Sequence, residues 1–526
     1  MSGARVNLAS DVVVTLMTLA FAYACAAFVW QPTLATFADD SVSYLVMAQV
    51  FSPWQPASPA VTAAFAREAF YPPLFPAVLA LAGAAHHIAW AHALTALLLA
   101  ACLPLVYLLG VRWLEHRGAA ATVVLCVALL PALWVNAKGI LTEPLFCLLL
   151  LMTFWVMDSG ERTRARLGLL ALLMVAMALT RTAALPMIAV YALWILTRRG
   201  MAPGVKLREL GPVLAAVAAY GLWVLLRPAA TEDNYARIAL DHGSVFLGAK
   251  SPLAAIAASL LRQANAMAEG WIGSVLLYWM EGRPVRVVLA GGVGCLALAG
   301  LALRVRDGKP DGWMVAGYLA LLLAWPFYDQ MGRFLFPVLP VLLLYAFLAS
   351  TTLARALGRP QALGAGVLSV LLLSLTVPAL AFIQQRSTAA GAVREIVDWY
   401  RTPGLDQARA RAQVQLDLFA DMDEIRKLTA AGDRVMWFAP SYLALLADRR
   451  GVAAPDPDLA PAAYREAVRA SGAEYVFLSA HHPRDTMRDV AWQAGTRALT
   501  GQAQAVHVRA LPGGGAVTSL LLKIGK

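Results

Sequence analysis

The chain has 526 residues, of which 60% are hydrophobic and only 14% charged, and its formal net charge is +11. Soluble domains carry about 45–50% apolar and about 25% charged residues, so the composition excludes an ordinary soluble protein and points to one that lives in a bilayer. Nor does the charge mark a nucleic-acid binder: the basic residues fall mostly in short loops between apolar runs, which is how a membrane protein sets its orientation.

Arg5 precedes an apolar stretch from Val12 to Trp30. It is long for the core of a cleaved signal peptide and reads as a retained signal-anchor helix. Runs of about 17–22 apolar residues suit a hydrocarbon layer of ~30 Å. Eleven spans are expected, near 12–30, 89–110, 119–135, 142–157, 168–180, 182–196, 211–227, 286–303, 312–328, 334–350 and 363–383. A further crossing within a long loop would raise the number to twelve or thirteen.

Alternate connections are basic. They hold Arg112 and Arg117; Arg162, Arg164 and Arg166; Arg198, Arg199, Lys206 and Arg208; Arg304, Arg306 and Lys309; and Arg355 and Arg359. The positive-inside rule puts these loops, and the N-terminus with them, in the cytoplasm. Residues 167–197 test the scheme, because one helix there would put two basic clusters on opposite sides. Two short helices meeting near Arg181 keep both inside. The other side then receives the loops near 31–88 and 228–285, the second with an amphipathic, Trp-rich stretch suited to the interface, and everything after about residue 384. Trp30, Trp90, Trp271 and Trp279 read as interface anchors. The five cysteines, Cys25, Cys102, Cys126, Cys147 and Cys295, all lie in apolar runs and read as small buried hydrophobes.

The last 140 or so residues change character. Val435–Ala439 and Tyr475–Ser479 read as buried parallel strands, and Gln504–Leu511 and Val517–Ile524 as further strands. Pro440–Asp448, Pro461–Ser471 and Pro483–Leu499 read as helices. The expected organisation is a polytopic α-helical membrane domain over 1–385 and a small α/β domain over 386–526.

Few ionisable residues lie on the outer side, close to span ends. Asp39 and Asp40 follow the first span and suit a general base; an N-cap or helix start accounts for them equally well. Glu143 opens the fourth span, as a second acid near the aspartates or a first-turn helix charge, and Lys138 stands close enough in sequence to pair with it. Arg333 opens the tenth span against the orientation bias and asks for an anionic partner, with a guanidinium fork that matches phosphate. Arg181 sits at some depth, where ionisable groups are functional candidates. Snorkelling or a structural ion pair is the plain alternative for both arginines. His86 and His87 read as an interfacial loop. No motif calls for a metal or another cofactor, and a divalent ion stays compatible.

Together, ADDSVSY at 38–44, YPPLFPAVLAL at 71–81, LTEPLF at 141–146, LTRTAALP at 179–186 and GRFLFPVLP at 332–340 resemble the GT-C membrane glycosyltransferases. They are most similar to the bacterial branch near protein O-mannosyltransferases and lipid A aminoarabinose transferases. The resemblance implies a GT-C-like fold in a bacterial inner membrane. It also implies transfer of a sugar from a polyprenyl-phosphate donor to an envelope acceptor (glycolipid, polysaccharide or protein) on the outer face. It carries the base onto Asp39 or Asp40, a second acid onto Glu143 and the phosphate-holding cation onto Arg333, with Arg181, Lys138 and Tyr71 as further donor-site candidates. A leaving phosphate is already a stable anion and needs positive charge more than a proton. Tyr71 stands before Pro72 and Pro73 where the aminoarabinose branch has lysine, a departure that puts that sugar in doubt. A flippase for lipid-linked glycans and a ligase-like envelope-assembly protein are the alternatives. Transporters carry inverted repeats and helices broken at mid-membrane, and no repeat stands out here.

Overall fold

The computed structural model describes residues 2–34, 38–159, 163–228, 251–277, 284–389, 391–396, 398–402, 404–480, 485–510 and 517–525. Each expected span coincides with a helix. They are Ser2–Val29, Ile88–Leu114, Arg117–Ala128 (continued by Pro131–Asn136), Glu143–Met157, Arg164–Ala178, Ala184–Thr197, Pro203–Leu226, Pro284–Arg306, Pro310–Ala324, Leu339–Ala356 and Gln361–Ala389. Six helical stretches among the described residues are long and apolar enough to cross a membrane, and four more apolar helices are shorter.

The segment 167–197 is two helices joined by a turn at Arg181. The first is capped by Thr163, whose hydroxyl accepts from the Arg166 amide, an ordinary helix start. Pro186 sits within the first turn of the second, where a missing amide costs nothing.

The basic loops meet at one end of the bundle. Arg117 pairs with Asp11 at 2.7 Å, and Arg166 with Glu209 at 3.2 Å. Arg112 donates to the Trp155 carbonyl at 2.7 Å and Trp194 to the Gly308 carbonyl at 2.9 Å. Arg304 is buried there, pairing with Asp311 at 2.7 Å while the Tyr345 hydroxyl donates to the same carboxylate at 2.8 Å. Four of the five basic loops are thus tied together by contacts at this end.

Helices Pro284–Arg306 and Leu339–Ala356 approach so closely at Gly300 that a Cβ there would collide with the Tyr345 carbonyl. Small residues at such crossings let backbones touch where no hydrophobic drive separates helix from lipid. Four cysteines are buried as expected, but Cys295, on the first of these helices, faces outward.

At the other end of the bundle, the loop expected near 31–88 is itself helical: Ala38–Phe51, Pro59–Glu68 and Leu74–Leu81. Ser58 caps the second of these. The Leu74 amide donates to the Leu179 carbonyl at 2.8 Å, tying the Tyr-Pro-Pro turn to the turn that holds Arg181. His86 and His87 lie in the turn before Ile88. The Trp-rich stretch forms the helix Pro252–Leu276. Its Trp271 corrects the anchor reading, being buried with its indole N–H on the Ala290 carbonyl at 2.8 Å. Trp279 lies outside the described residues.

The C-terminal part carries a five-stranded sheet of order β2-β1-β3-β5-β4. The strands are β1 (Arg434–Met436), β2 (Arg450–Val452), β3 (Tyr475–Ser479), β4 (Gln504–Ala510) and β5 (Val517–Lys523). Strand β1 pairs parallel with β2 and β3, while β5 runs antiparallel to β3 and β4. Helices Pro440–Leu446, Pro461–Ala470 and Asp485–Leu499 fall where expected. The helix Leu405–Leu428 and the three-residue β2 add to that expectation. The expected domain boundary at 385/386 falls in the last turn of Gln361–Ala389. The chain then folds back, with the Trp399 indole donating to the Arg386 carbonyl at 3.0 Å and Tyr400 set edge-on against Phe28 at 5.3 Å.

The close crossing yields a direct test by thermal melting in detergent. Gly300→Ala is expected to cost about 1–3 kcal/mol through overpacking. Gly291→Ala, in open space on the same helix, should be neutral or stabilise by up to about 1 kcal/mol through helix propensity. Equal melting points for the two variants would contradict the packing described.

Candidate active site

The end of the bundle away from the basic loops collects the ends of several helices. Asp40 lies in the first turn of Ala38–Phe51, and Glu143 begins its helix behind Thr142. Arg181 occupies the turn between two helices, and Arg333 lies in the short helix Met331–Leu335. That short helix is pressed by Pro252–Leu276: a Cβ on Gly270 would stand 2.8 Å from the Gly332 nitrogen. Only glycine at 270 lets the two backbones meet and fixes where Arg333 starts.

These side chains form one network. The Arg333 Nε donates to Glu143 Oε1 at 2.6 Å, its Nη2 donates to Asp40 Oδ2, and its Nη1 reaches Gln330 Oε1 at 3.5 Å. Arg181 Nη1 pairs with Glu143 Oε1 at 2.7 Å and donates to Thr142 Oγ1 at 2.9 Å. Thr142 Oγ1 in turn donates to Glu143 Oε2 at 3.3 Å. The Tyr71 hydroxyl donates to Asp40 Oδ1 at 2.6 Å. Ser41 anchors the helix by donating to the Ile140 carbonyl at 3.2 Å. Both oxygens of each carboxylate are engaged, and among the described side chains two carboxylates face two guanidiniums, so their charges balance. Isolated, any one of the four charges would be costly at this burial.

Exposure grades the network. The Glu143 side chain is 1% exposed, Arg333 8%, and Asp40 20%. Glu143 is thus the buried anchor and Asp40 the more open face of the network.

Of the residues singled out from sequence, Asp40, Glu143, Arg181, Arg333 and Tyr71 come together. The ion-pair alternative for the arginines and their candidacy for phosphate coincide in the same groups. Asp40 directs its carboxylate to Arg333 and Tyr71. The side chain of Asp39 lies outside the described residues. Lys138 joins a different cluster, donating to the Phe28 carbonyl at 3.1 Å and to Gln31 Oε1 at 3.2 Å beneath the Phe28 ring. Gln31 there also meets the buried His92 at 3.3 Å.

Two contributors escaped the sequence reading, although both stand inside the quoted strings: Thr142, and Tyr44, whose ring packs edge-on against Tyr71 at 5.1 Å. Among the described residues, no group of three or more metal-ligating side chains is gathered.

No protein-family model and no curated protein sequence matches the chain. Among solved structures it is similar to the oligosaccharyltransferase of Archaeoglobus fulgidus. The form complexed with zinc and sulfate gives a TM-score of 0.49 at 12% identity, covering 96% of this chain and 72% of that one. The archaeal enzyme with an inhibitory peptide and a dolichol-phosphate gives 0.48 at 12% identity, covering 97% and 74%. The apo form gives the same figures. At such identity and overlap the likeness assigns no activity, which has to be argued from the chain's own residues.

The network makes a graded prediction for stability. Glu143→Gln leaves two guanidiniums without their shared anion and is expected to cost about 3–5 kcal/mol. Tyr71→Phe removes one hydrogen bond from the open face and should cost about 1 kcal/mol. Thermal melts of the purified protein check the ranking, and a Tyr71 effect equal to or larger than that of Glu143 would contradict it.

Proposed function

We propose that this protein is a GT-C-type membrane glycosyltransferase that moves a sugar from a polyprenyl-phosphate donor to an acceptor on the outer face of a bacterial inner membrane. The single observation that carries the reading is the convergence of Asp40, Glu143, Arg181 and Arg333 at the helix ends opposite the basic loops. The site thereby joins a phosphate-matching cation to a partly open carboxylate. The positive-inside rule sets that end outside, with the N-terminus in the cytoplasm. Residues 1–385 then form the membrane domain and 386–526 the outer domain, and membrane lipids surround the donor's tail.

The chemistry follows from which groups are already engaged. In the free protein Arg333 holds Asp40. A phosphate brought to the membrane surface offers the guanidinium a stronger anion, so Arg333 turns its Nη2 to the donor and Asp40 Oδ2 is released. The carboxylate then accepts the proton of the acceptor group while the acceptor's oxygen, or a similar nucleophile, attacks the anomeric carbon. The bond from that carbon to the phosphate oxygen breaks, and polyprenyl phosphate leaves with its new charge on Arg333. Glu143 keeps Arg181 and the Arg333 Nε in place throughout. Preorganised cations aimed at a leaving anion are a large source of rate acceleration. A flippase would place its charged site at mid-membrane between repeats, which fits this geometry less well.

The test is transfer of radiolabelled sugar from membrane polyprenyl-phosphate donors. Asp40→Asn should lose about 10²–10⁴-fold in rate, the contribution of a general base, while still binding the donor. Arg333→Ala should lose donor binding itself. Unimpaired transfer in Asp39→Asn and Asp40→Asn alike would overturn the aspartate base, and no transfer by the wild type, together with movement of lipid-linked sugar across vesicles, would overturn the transferase in favour of the flippase.

A further inference from the structure

A cavity of about 560 Å³ lies between the outer helices and the C-terminal domain, within the ~300–1,000 Å³ range of small-molecule sites. It opens at the carboxyl ends of β1 and β3, where Phe438–Ser441 and Leu478–Ser479 line it. Ligands of sheets with parallel strands bind outside those strand ends. The opposite wall is Ser43, Arg67, Glu68, Phe70 and Tyr71.

Two of its features bear on function. Glu68 bridges the two parts of the protein: Ser43 Oγ donates to its Oε2 at 2.6 Å, and Ser441 Oγ donates to its Oε1. Tyr71 belongs both to this wall and to the ion network, since its hydroxyl donates to Asp40. Ser43 stands one helical turn beyond Asp40, on the same face. A molecule held in the cavity is therefore separated from Asp40 by a single side chain, that of Tyr71.

We propose that this cavity is the acceptor site and that it takes a saccharide, an inference that rests on the transferase reading. Half-buried aromatic faces, Phe70, Phe438 and Trp492, line it beside the carboxylates of Glu68 and Asp456 and the hydroxyls of Ser43 and Ser441. Aromatic faces take the C–H side of a sugar ring, and carboxylates and hydroxyls take its O–H groups. Among the described lining residues Arg67 is the single cation, too few for a polyanion. One recurring way to bind an extended peptide is along a sheet edge, but the edges are β2 and β4, whereas the cavity sits at the ends of the central strands. Glu68 selects the ring by its hydroxyls, and Trp492 stacks on it.

The experiment uses the full-length protein in nanodiscs and saturation-transfer NMR with three probes: chitobiose, maltotriose and a short Ser/Thr peptide. Binding of at least one saccharide is expected, weakened about tenfold or more by Trp492→Ala and by Glu68→Gln. In the same variants, binding of polyprenyl phosphate should be unchanged. Trp492, away from the Glu68 bridge, keeps the test independent of any effect on domain docking. Absence of saccharide binding up to about 10 mM, or peptide binding with the same dependence on Trp492, would overturn the proposal. Loss of polyprenyl-phosphate binding in Arg333→Ala is read separately and bears only on the transferase reading.

Discussion

Everything at the working end of this protein depends on a single guanidinium that bridges two carboxylates. Arg333 gives its Nε to Glu143 and its Nη2 to Asp40. In doing so it draws together the helix Ala38–Phe51 and the fourth expected span, and it relies on a third helix, through the glycine contact at Gly270, for its own position. Arginine is suited to this because its planar fork serves two partners at fixed directions, which a lysine ammonium does not. The arrangement is costly in isolation, since buried ion pairs rarely repay their desolvation. Here each of the four described charges has an opposite partner, which offsets that cost.

Balance also explains the division of labour among the acids. Glu143 is enclosed and held by Arg181, Arg333 and Thr142, so it orients cations. Asp40 is more open and is held by one guanidinium and one phenol. The same phenol borders the cavity under the C-terminal part of the chain, which joins that cavity to the ion network through one side chain.

Much of the membrane part was legible in the sequence because hydrophobic run length and loop charge are strong, redundant signals. The break at Arg181 is the clearest case, where Arg162–Arg166 and Arg198–Arg208 demanded two helices in a stretch awkward for either number. The parallel pair β1 and β3 was legible from continuous apolar runs. The helix Leu405–Leu428 was not, since its polar, strongly helix-forming sequence lacks an apolar run, and β2 is too short to show any period. Within the site, a positive charge expected to run against the orientation bias pointed to Arg333. It could not say that Lys138, five residues before Glu143, turns instead to Phe28 and Gln31, because pairing across the bundle depends on helix rotation. The Glu68–Ser441 bridge was beyond reach for the same reason: it joins residues whose neighbourhood exists only once the C-terminal domain has docked.

The most direct measurement is a structure of the protein with undecaprenyl phosphate bound in nanodiscs. The phosphate is expected on the Arg333 guanidinium, with the Arg333–Asp40 contact broken and Asp40 turned toward the cavity. A phosphate seated elsewhere, with Arg333 still bridging Asp40 and Glu143, would contradict the account.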